Sequence, residues 1–157
     1  MQAALDILQA IPGIELIDLQ QPAVGLQSTS LSVLPAYKRE LQLNELQAAS
    51  DAGVDALVTV YHSEHRELCT HERDWPFRIV NLLELVGESM GLARQDRYKE
   101  LKILQDADLI MSECSDLIAR HGLDAGKVRE VVIKGMLGDQ PLPLKPGPRP
   151  VELTPNP

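Results

Sequence analysis

The stretch "DALVTVY", Asp55–Tyr61, constrains the fold most strongly, because it is an almost unbroken apolar run that ends abruptly in polar residues. A continuous apolar run, as opposed to an alternating one, is typical of a parallel strand that is covered on both faces. Parallel strands are joined by crossover connections that usually contain a helix. The run therefore predicts a strand within a helix-covered α/β layer.

Other segments of the chain supply the remaining elements of such a layer. Further strands are predicted for "IELIDL", Ile14–Leu19, and for Arg78–Val80. Periodic apolar spacing predicts helices over residues 1–11, 35–52, 82–91, 96–104, 107–121 and 126–137. The fold class expected is α/β, with a small parallel sheet of about three to four strands flanked by helices and with extra C-terminal helices.

The C-terminal end differs in composition from the rest of the chain. Residues 139–157 contain seven of the eleven prolines, and proline removes the backbone donor that helices and central strands need. We expect one α/β domain over residues 1–138, followed by an extended Pro-rich tail over residues 139–157.

Charge and composition exclude several classes of partner. The chain has 157 residues and a formal net charge of −8, which disfavours binding to nucleic acid. No apolar run reaches the ~20 residues of a membrane-spanning helix, and the N-terminus lacks the features of a signal peptide. The two cysteines cannot form a disulfide framework. These features predict a soluble, cytoplasmic protein.

The stretch after the apolar run contains the densest group of potential ligands in the chain. In a helix that starts at His62, the side chains of His62, His65 and Cys69 share one face with Glu72. Imidazole and thiolate are common zinc ligands, so these residues predict a possible site for zinc or another metal. The four side chains span roughly 15 Å along a helix, so only a pair of them can bind one ion, with help from elsewhere.

Two other interpretations of this stretch remain open. In the structural one, Leu68 and Cys69 face the sheet, His65 caps its edge, and the charged residues between them, Glu64, Arg66 and Glu67, are solvated. In the other, the thiol of Cys69 is reactive because nearby histidines lower its pKa.

Two turns of the chain resemble those of a known family. "ELIDLQQPAVG" stands where that family has a strand followed by Cys-Cys-Gly, and "AGVDALVTVYHSEHRELC" stands where it has an apolar strand followed by Cys-Pro-x-Cys-His. The spacing between the turns also agrees. The chain thus resembles the C-terminal part of the cysteine-rich (CCG) domain that occurs in heterodisulfide reductase and in the iron–sulfur subunit of glycolate oxidase. The resemblance covers about Ile14–Leu92.

The chain departs from this family at the positions that hold its iron–sulfur cluster. Ala23 and Val24 occupy the Cys-Cys positions, and Tyr61 and Glu64 occupy the Cys-x-x-Cys positions. The family's first cysteine would lie upstream of Met1. Iron–sulfur clusters are held by thiolates, which none of these four side chains can supply. No cofactor is therefore expected at the lost cluster positions.

These departures lead to a functional expectation. The resemblance implies a non-catalytic, cluster-less accessory or scaffold protein of a heterodisulfide-reductase-like redox complex, concerned with sulfur or thiol metabolism. A truncated parallel sheet leaves an unfilled edge that a redox-complex subunit or a second copy can cover. The alternatives are a small metal- or thiol-dependent protein that uses His62, His65 and Cys69, and a small-molecule pocket at the strand ends.

Overall fold

The structure is a computed structural model that describes residues 2–22, 24, 28–92, 94–138, 142 and 144. The chain forms two compact units, Met1–Gln95 and Asp96–Pro157, whereas the sequence predicted one domain over residues 1–138. The α/β class is confirmed. The predicted sheet of three to four strands is wrong in its size, because the described residues form a sheet of two strands.

The first unit consists of short helices around this sheet. Its elements in chain order are α1 (Gln2–Gln9), α2 (Ser28–Leu31), α3 (Pro35–Asp51), β1 (Ala56–Thr59), α4 (His62–Leu68), a 3₁₀ helix (Cys69–Arg73), β2 (Arg78–Asn81) and α5 (Leu82–Ser89). The strands are parallel, as predicted, with Ala56 opposite Arg78 and Thr59 opposite Asn81.

One apolar cluster fixes α1 and α5 against β1. Ala4 and Leu8 of α1 and Leu82 of α5 are buried at its centre. Seven partly buried side chains pack around them: Ile11, Ile14, Leu16, Val58, Val60, Leu85 and Val86. Since Val58 and Val60 alternate along the strand with the buried residues Leu57 and Thr59, both faces of β1 are covered, as its apolar sequence predicted.

The predicted strand Ile14–Leu19 is wrong, because the segment has no regular secondary structure. Its side chains do alternate at first: Ile14 and Leu16 pack on the cluster, while Ile17 is 51% exposed. A strand also requires a hydrogen-bonded neighbour, and this segment pairs with neither strand of the sheet. Apolar alternation therefore predicted which side chains are buried but not the backbone pairing.

Local capping explains where α5 begins. The Asn81 side chain accepts a hydrogen bond from Leu83 N, and Glu84 reaches back to the amide of Asn81, which together form a capping box. Leu83 in the first turn of this helix is 73% exposed. It lies on the solvent-facing side of the helix, whereas Leu85 packs in the apolar cluster.

The described residues of the second unit form helices joined by short turns and include no strand. It contains α6 (Arg97–Ile103), α7 (Ala107–Glu113), α8 (Ser115–Arg120), α9 (Ala125–Val131) and a π-helical segment (Val132–Leu137). Three aspartates cap these helices by accepting hydrogen bonds from backbone amides in the first turn, namely Asp96, Asp106 and Asp124.

The single helix predicted over residues 107–121 is interrupted. Cys114, with φ −97° and ψ 0°, separates α7 from α8 and is half-buried. The chain turns at His121–Asp124, where Gly122 has a φ of +59° and Asp124 caps α9. Of the Pro-rich tail only Leu142 and Leu144 are described, so its extended conformation stays a prediction. Over the described residues, every helix is too short or too polar to cross a bilayer.

Candidate functional site

The ligand-rich stretch forms α4 and the 3₁₀ helix, directly after β1. Tyr61 has extended dihedral angles and leads from the strand into α4. Two of the lost cluster positions are buried, Val24 and Glu64, and Tyr61 is half-buried. Ala23 lies outside the described residues. Glu64 was expected to be solvated, and its burial corrects that expectation.

His65 connects α4 to the ends of both strands. Its Nδ1 lies 3.1 Å from Oγ1 of Thr59, and that hydroxyl donates to the carbonyl of Val80 at 3.1 Å. Because Thr59 has a single hydroxyl proton, Nδ1 must be the donor to Oγ1. The sequence predicted that His65 caps the sheet edge, and this buried bridge shows how it does so.

The hydrogen bond to Thr59 determines which nitrogen of His65 could serve as a metal ligand. Because Nδ1 is bonded to that hydroxyl, any metal ligand that this imidazole supplied would be Nε2. A ring nitrogen of His65 and a carboxylate oxygen of Glu84 lie within 4.8 Å of each other. Two such ligands alone do not complete a tetrahedral zinc site.

The other two predicted ligands are placed differently from His65. His62 is exposed in the first turn of α4, whereas Cys69 is fully buried at the start of the 3₁₀ helix. The Cys69 thiol donates to the carbonyl of Arg66 at 4.0 Å. The ligand atoms of His62, His65 and Cys69 do not all lie within 4.8 Å of one another. Metal binding by these three residues stays a prediction, as does a reactive Cys69 thiol.

Glu67 forms the centre of a polar contact between α4 and α3. One carboxylate oxygen lies 2.6 Å from Nζ of Lys38 and the other accepts from Nε2 of Gln42 at 2.8 Å. Ser32 Oγ lies 3.3 Å from the same ammonium group. Lys38 and Gln42 are buried, so the expectation of a solvated Glu67 is wrong.

Sequence reasoning did not identify this polar contact, although α3 contains a signal for it. Lys38, Gln42 and Glu45 recur at helical spacing on the same face as the buried residues Leu46 and Ala49. Polar residues on an apolar face must be paired. The pattern could therefore have predicted a buried polar contact, though not its partner.

Glu45 occupies the next turn of the same helix face. Its Oε2 atom and the Oε1 atom of Gln42 are both buried and have no hydrogen-bond partner among the residues that the structure describes. Burial raises the pKa of Glu45 from the usual 4.5 to about 7, because the low-dielectric surroundings disfavour the charged form. Near neutral pH this carboxyl group is thus partly protonated.

Two further carboxylates close the outer edge of β2. Glu72 Oε2 accepts from the amide of Ile79 at 2.7 Å, and Glu84 Oε2 accepts from the amide of Asn81 at 3.4 Å. In the parallel register, these are the β2 amides that point away from β1. Side chains therefore supply the acceptors that a third strand would otherwise provide.

Arg78 pairs with acidic residues at the start of β2. Its Nη2 lies 2.8 Å from Glu88 and 3.6 Å from Glu84. The hydrogen bond to Glu88 and the neighbouring negative charges raise the pKa of Arg78. The carboxylates around β2 are thus partly neutralised by a fixed cation.

Taken together, the polar side chains of this stretch join elements of the first unit to one another. His65, Glu67 and Glu72 each connect the α4 region to a different element, by hydrogen bonds to Thr59, to Lys38 and Gln42, and to Ile79. Comparison of the chain with protein-family models, with curated proteins and with solved structures finds no match in any of the three.

Proposed function

We propose that this protein is a non-catalytic accessory or scaffold protein that acts by binding other proteins. One observation supports this most directly: two of the four side chains that looked most like a metal centre form hydrogen bonds between structural elements. His65 bridges to Thr59, and Glu72 accepts from the amide of Ile79. Side chains held in this way stabilise a rigid domain.

An exposed apolar surface gives such a domain a means of binding. Leu83 in the first turn of α5 and Met90, the residue that follows its last turn, are seven residues apart and are 73% and 67% exposed. Leu92, which is 62% exposed, follows the helix. Its carbonyl lies 3.4 Å from where a side chain at Gly87 would begin. Large exposed apolar patches are characteristic of protein interaction sites.

The identity of the partner is proposed from the sequence resemblance. A CCG-like sequence without its cluster-binding cysteines fits a subunit that associates with a heterodisulfide-reductase-like redox complex in the cytoplasm. Such a subunit would need no cofactor of its own, since Val24, Tyr61 and Glu64 cannot replace thiolate ligands of an iron–sulfur cluster.

The test is a binding titration of the full chain against purified subunits of a heterodisulfide-reductase-like complex. We expect a stoichiometric complex that the double substitution Leu83→Glu, Met90→Glu weakens at least about tenfold. Leu123→Glu is the matched control, because Leu123 is also exposed but belongs to the second unit. Absence of binding to every subunit at about 10 μM, a concentration that detects even weak complexes, would refute the proposal.

Elemental analysis of the tag-free protein separates this proposal from the metal-dependent alternative. The proposal expects neither iron, zinc nor acid-labile sulfide at stoichiometric levels. Stoichiometric zinc that disappears in His65→Ala would favour the alternative built on His62, His65 and Cys69, and a brown protein containing labile sulfide would contradict the loss of the cluster.

A further inference from the structure

The two outer edges of the sheet differ in how their backbone amides are satisfied. On β2, the outward amides of Ile79 and Asn81 donate to the carboxylates of Glu72 and Glu84. On β1, the register directs the amides of Leu57 and Thr59 towards β2. The amides of Ala56, Val58 and Val60 therefore point outwards.

In the described part of the chain, no carboxylate accepts from the outward amides of β1. The amides of Ala56, Val58 and Val60 have no hydrogen-bond partner among the residues that the structure describes. All three residues are half-buried rather than fully enclosed. An edge with unpaired amides is a template for pairing with another strand.

The segment Ile14–Leu19, which the sequence predicted to be a strand, does not pair with this edge. Ile14 and Leu16 pack their side chains on the cluster that contains Val58 and Val60. The backbone of residues 15–19 nevertheless forms no hydrogen bond to β1. Within the described chain, the sheet thus ends at β1.

We propose that the outer edge of β1 binds the same edge of a second copy of this chain, as an antiparallel strand pair about a twofold axis. With Val58 opposite Val58 of the partner, Ala56 lies opposite Val60 and all three outward amides find acceptors. The same surface meets itself, as an isologous dimer requires. The result would be a continuous four-stranded sheet, in the order β2-β1-β1-β2.

The charge pattern favours β1 as the pairing strand in preference to the extended segment Ile14–Leu19. The segment Ala56–Val60 has no charged residue, so no like charges oppose one another in this register. Antiparallel self-pairing of Ile14–Leu19 would place Glu15 opposite Asp18, and like charges directly opposite destabilise a strand pair. The edge is therefore self-complementary where the adjacent segment is not.

This inference deepens the proposed function by naming one protein partner, a second copy. The test is sedimentation equilibrium of the full chain up to about 1 mM, a range that covers weak association, combined with amide hydrogen exchange. We expect a monomer–dimer equilibrium that strengthens as salt rises from about 0.05 to 0.5 M, because each copy has a formal charge of −8. The amides of Ala56, Val58 and Val60 should become protected at high concentration.

Ala56→Pro is the decisive variant, because it removes one outward amide but leaves the bonds between β1 and β2 intact. Proline is tolerated at the first residue of an edge strand. The variant loses two intermolecular hydrogen bonds per dimer, and we expect roughly 30-fold weaker association. Ala125→Pro is the matched control: the same substitution at the first position of α9, where proline is favoured. It should leave association unchanged.

The outcomes separate this inference from the proposed function. A strict monomer at all concentrations, or a dimer that Ala56→Pro and Ala125→Pro affect equally, overturns pairing through β1. Either result leaves binding to redox subunits through Leu83 and Met90 standing. If redox subunits fail to bind while dimerisation depends on Ala56, the proposed function fails and the edge pairing stands.

Discussion

Replacing Glu67 by alanine removes the carboxylate that holds α4 against α3. In the native protein this group lies 2.6 Å from Nζ of Lys38 and accepts a second hydrogen bond from Gln42. The side chain of Lys38 is 7% exposed and that of Glu67 is 19% exposed. Removal of Glu67 therefore leaves an ammonium group and an amide donor largely enclosed, with Ser32 as the remaining partner of the ammonium group.

The size of the effect follows from this burial. Breaking a buried ion pair by removing one partner destabilises a protein by about 3–5 kcal/mol, whereas an exposed pair contributes about 0–1 kcal/mol. Because Glu67 is partly accessible and Lys38 retains Ser32, we expect Glu67→Ala to lower the free energy of unfolding by about 2–4 kcal/mol. The double variant Lys38→Met, Glu67→Leu replaces both charges and should recover most of this loss.

The assay is urea unfolding followed by the fluorescence of Trp75, the single tryptophan, which lies in the first unit close to Phe77. Glu88→Ala is the matched control in the same unit, because Glu88 pairs with Arg78 at the surface. It should lower the free energy of unfolding by at most about 1 kcal/mol. If Glu67→Ala behaved like this control, or if the double variant were no better, the pair would be solvated and the reasoning wrong.

Three further predictions concern other buried polar groups of the same unit. The raised pKa of Glu45, about 7, means that the folded state holds this proton more tightly, so the free energy of unfolding should fall by up to about 3 kcal/mol as the pH rises from about 4.5 through 7. Glu45→Gln should abolish that part of the slope in urea titrations between about pH 5 and 8, and an unchanged slope would contradict burial of the group. Glu72→Ala should lower the free energy of unfolding by about 1–3 kcal/mol, because the amide of Ile79 loses its acceptor. Hydrogen exchange of the Ile79 amide should accelerate in this variant. If that amide were equally protected in the variant and the native protein, Glu72 would not be its acceptor at the outer edge of β2. Thr59→Val should cost about 1–3 kcal/mol by leaving Nδ1 of His65 without its acceptor, and an NMR tautomer shift at that imidazole is the independent readout.

Several elements could be predicted from local patterns alone. The apolar run before Tyr61 predicted β1, because a strand that is buried on both faces is continuously apolar. The periodic spacing after Pro35 predicted α3, because a helix that is buried on one face has apolar residues every three or four positions. The cap at Asp124 was equally local, since its carboxylate accepts a backbone amide within one helical turn. Such features depend only on residues close in the chain.

The polar contacts were not predictable in the same way. Nothing near Glu67 in the sequence distinguishes it from a solvated surface residue, since its partners Lys38 and Gln42 come from another helix. Glu72 likewise becomes an acceptor for Ile79 only when the 3₁₀ helix folds beside β2. Each depends on a distant segment approaching within hydrogen-bonding distance.

The amino-acid sequence by itself determined that this chain forms an α/β arrangement with parallel strands, because apolar periodicity and caps act over a few residues. The tertiary structure alone decided that Ile14–Leu19 does not join the sheet, that carboxylates close the edge of β2, and that His65 bridges the strand ends. The physical reason is that strand pairing and the burial of polar groups are settled between segments far apart in the chain. Which hydrogen bonds form between such segments depends on the complete tertiary structure.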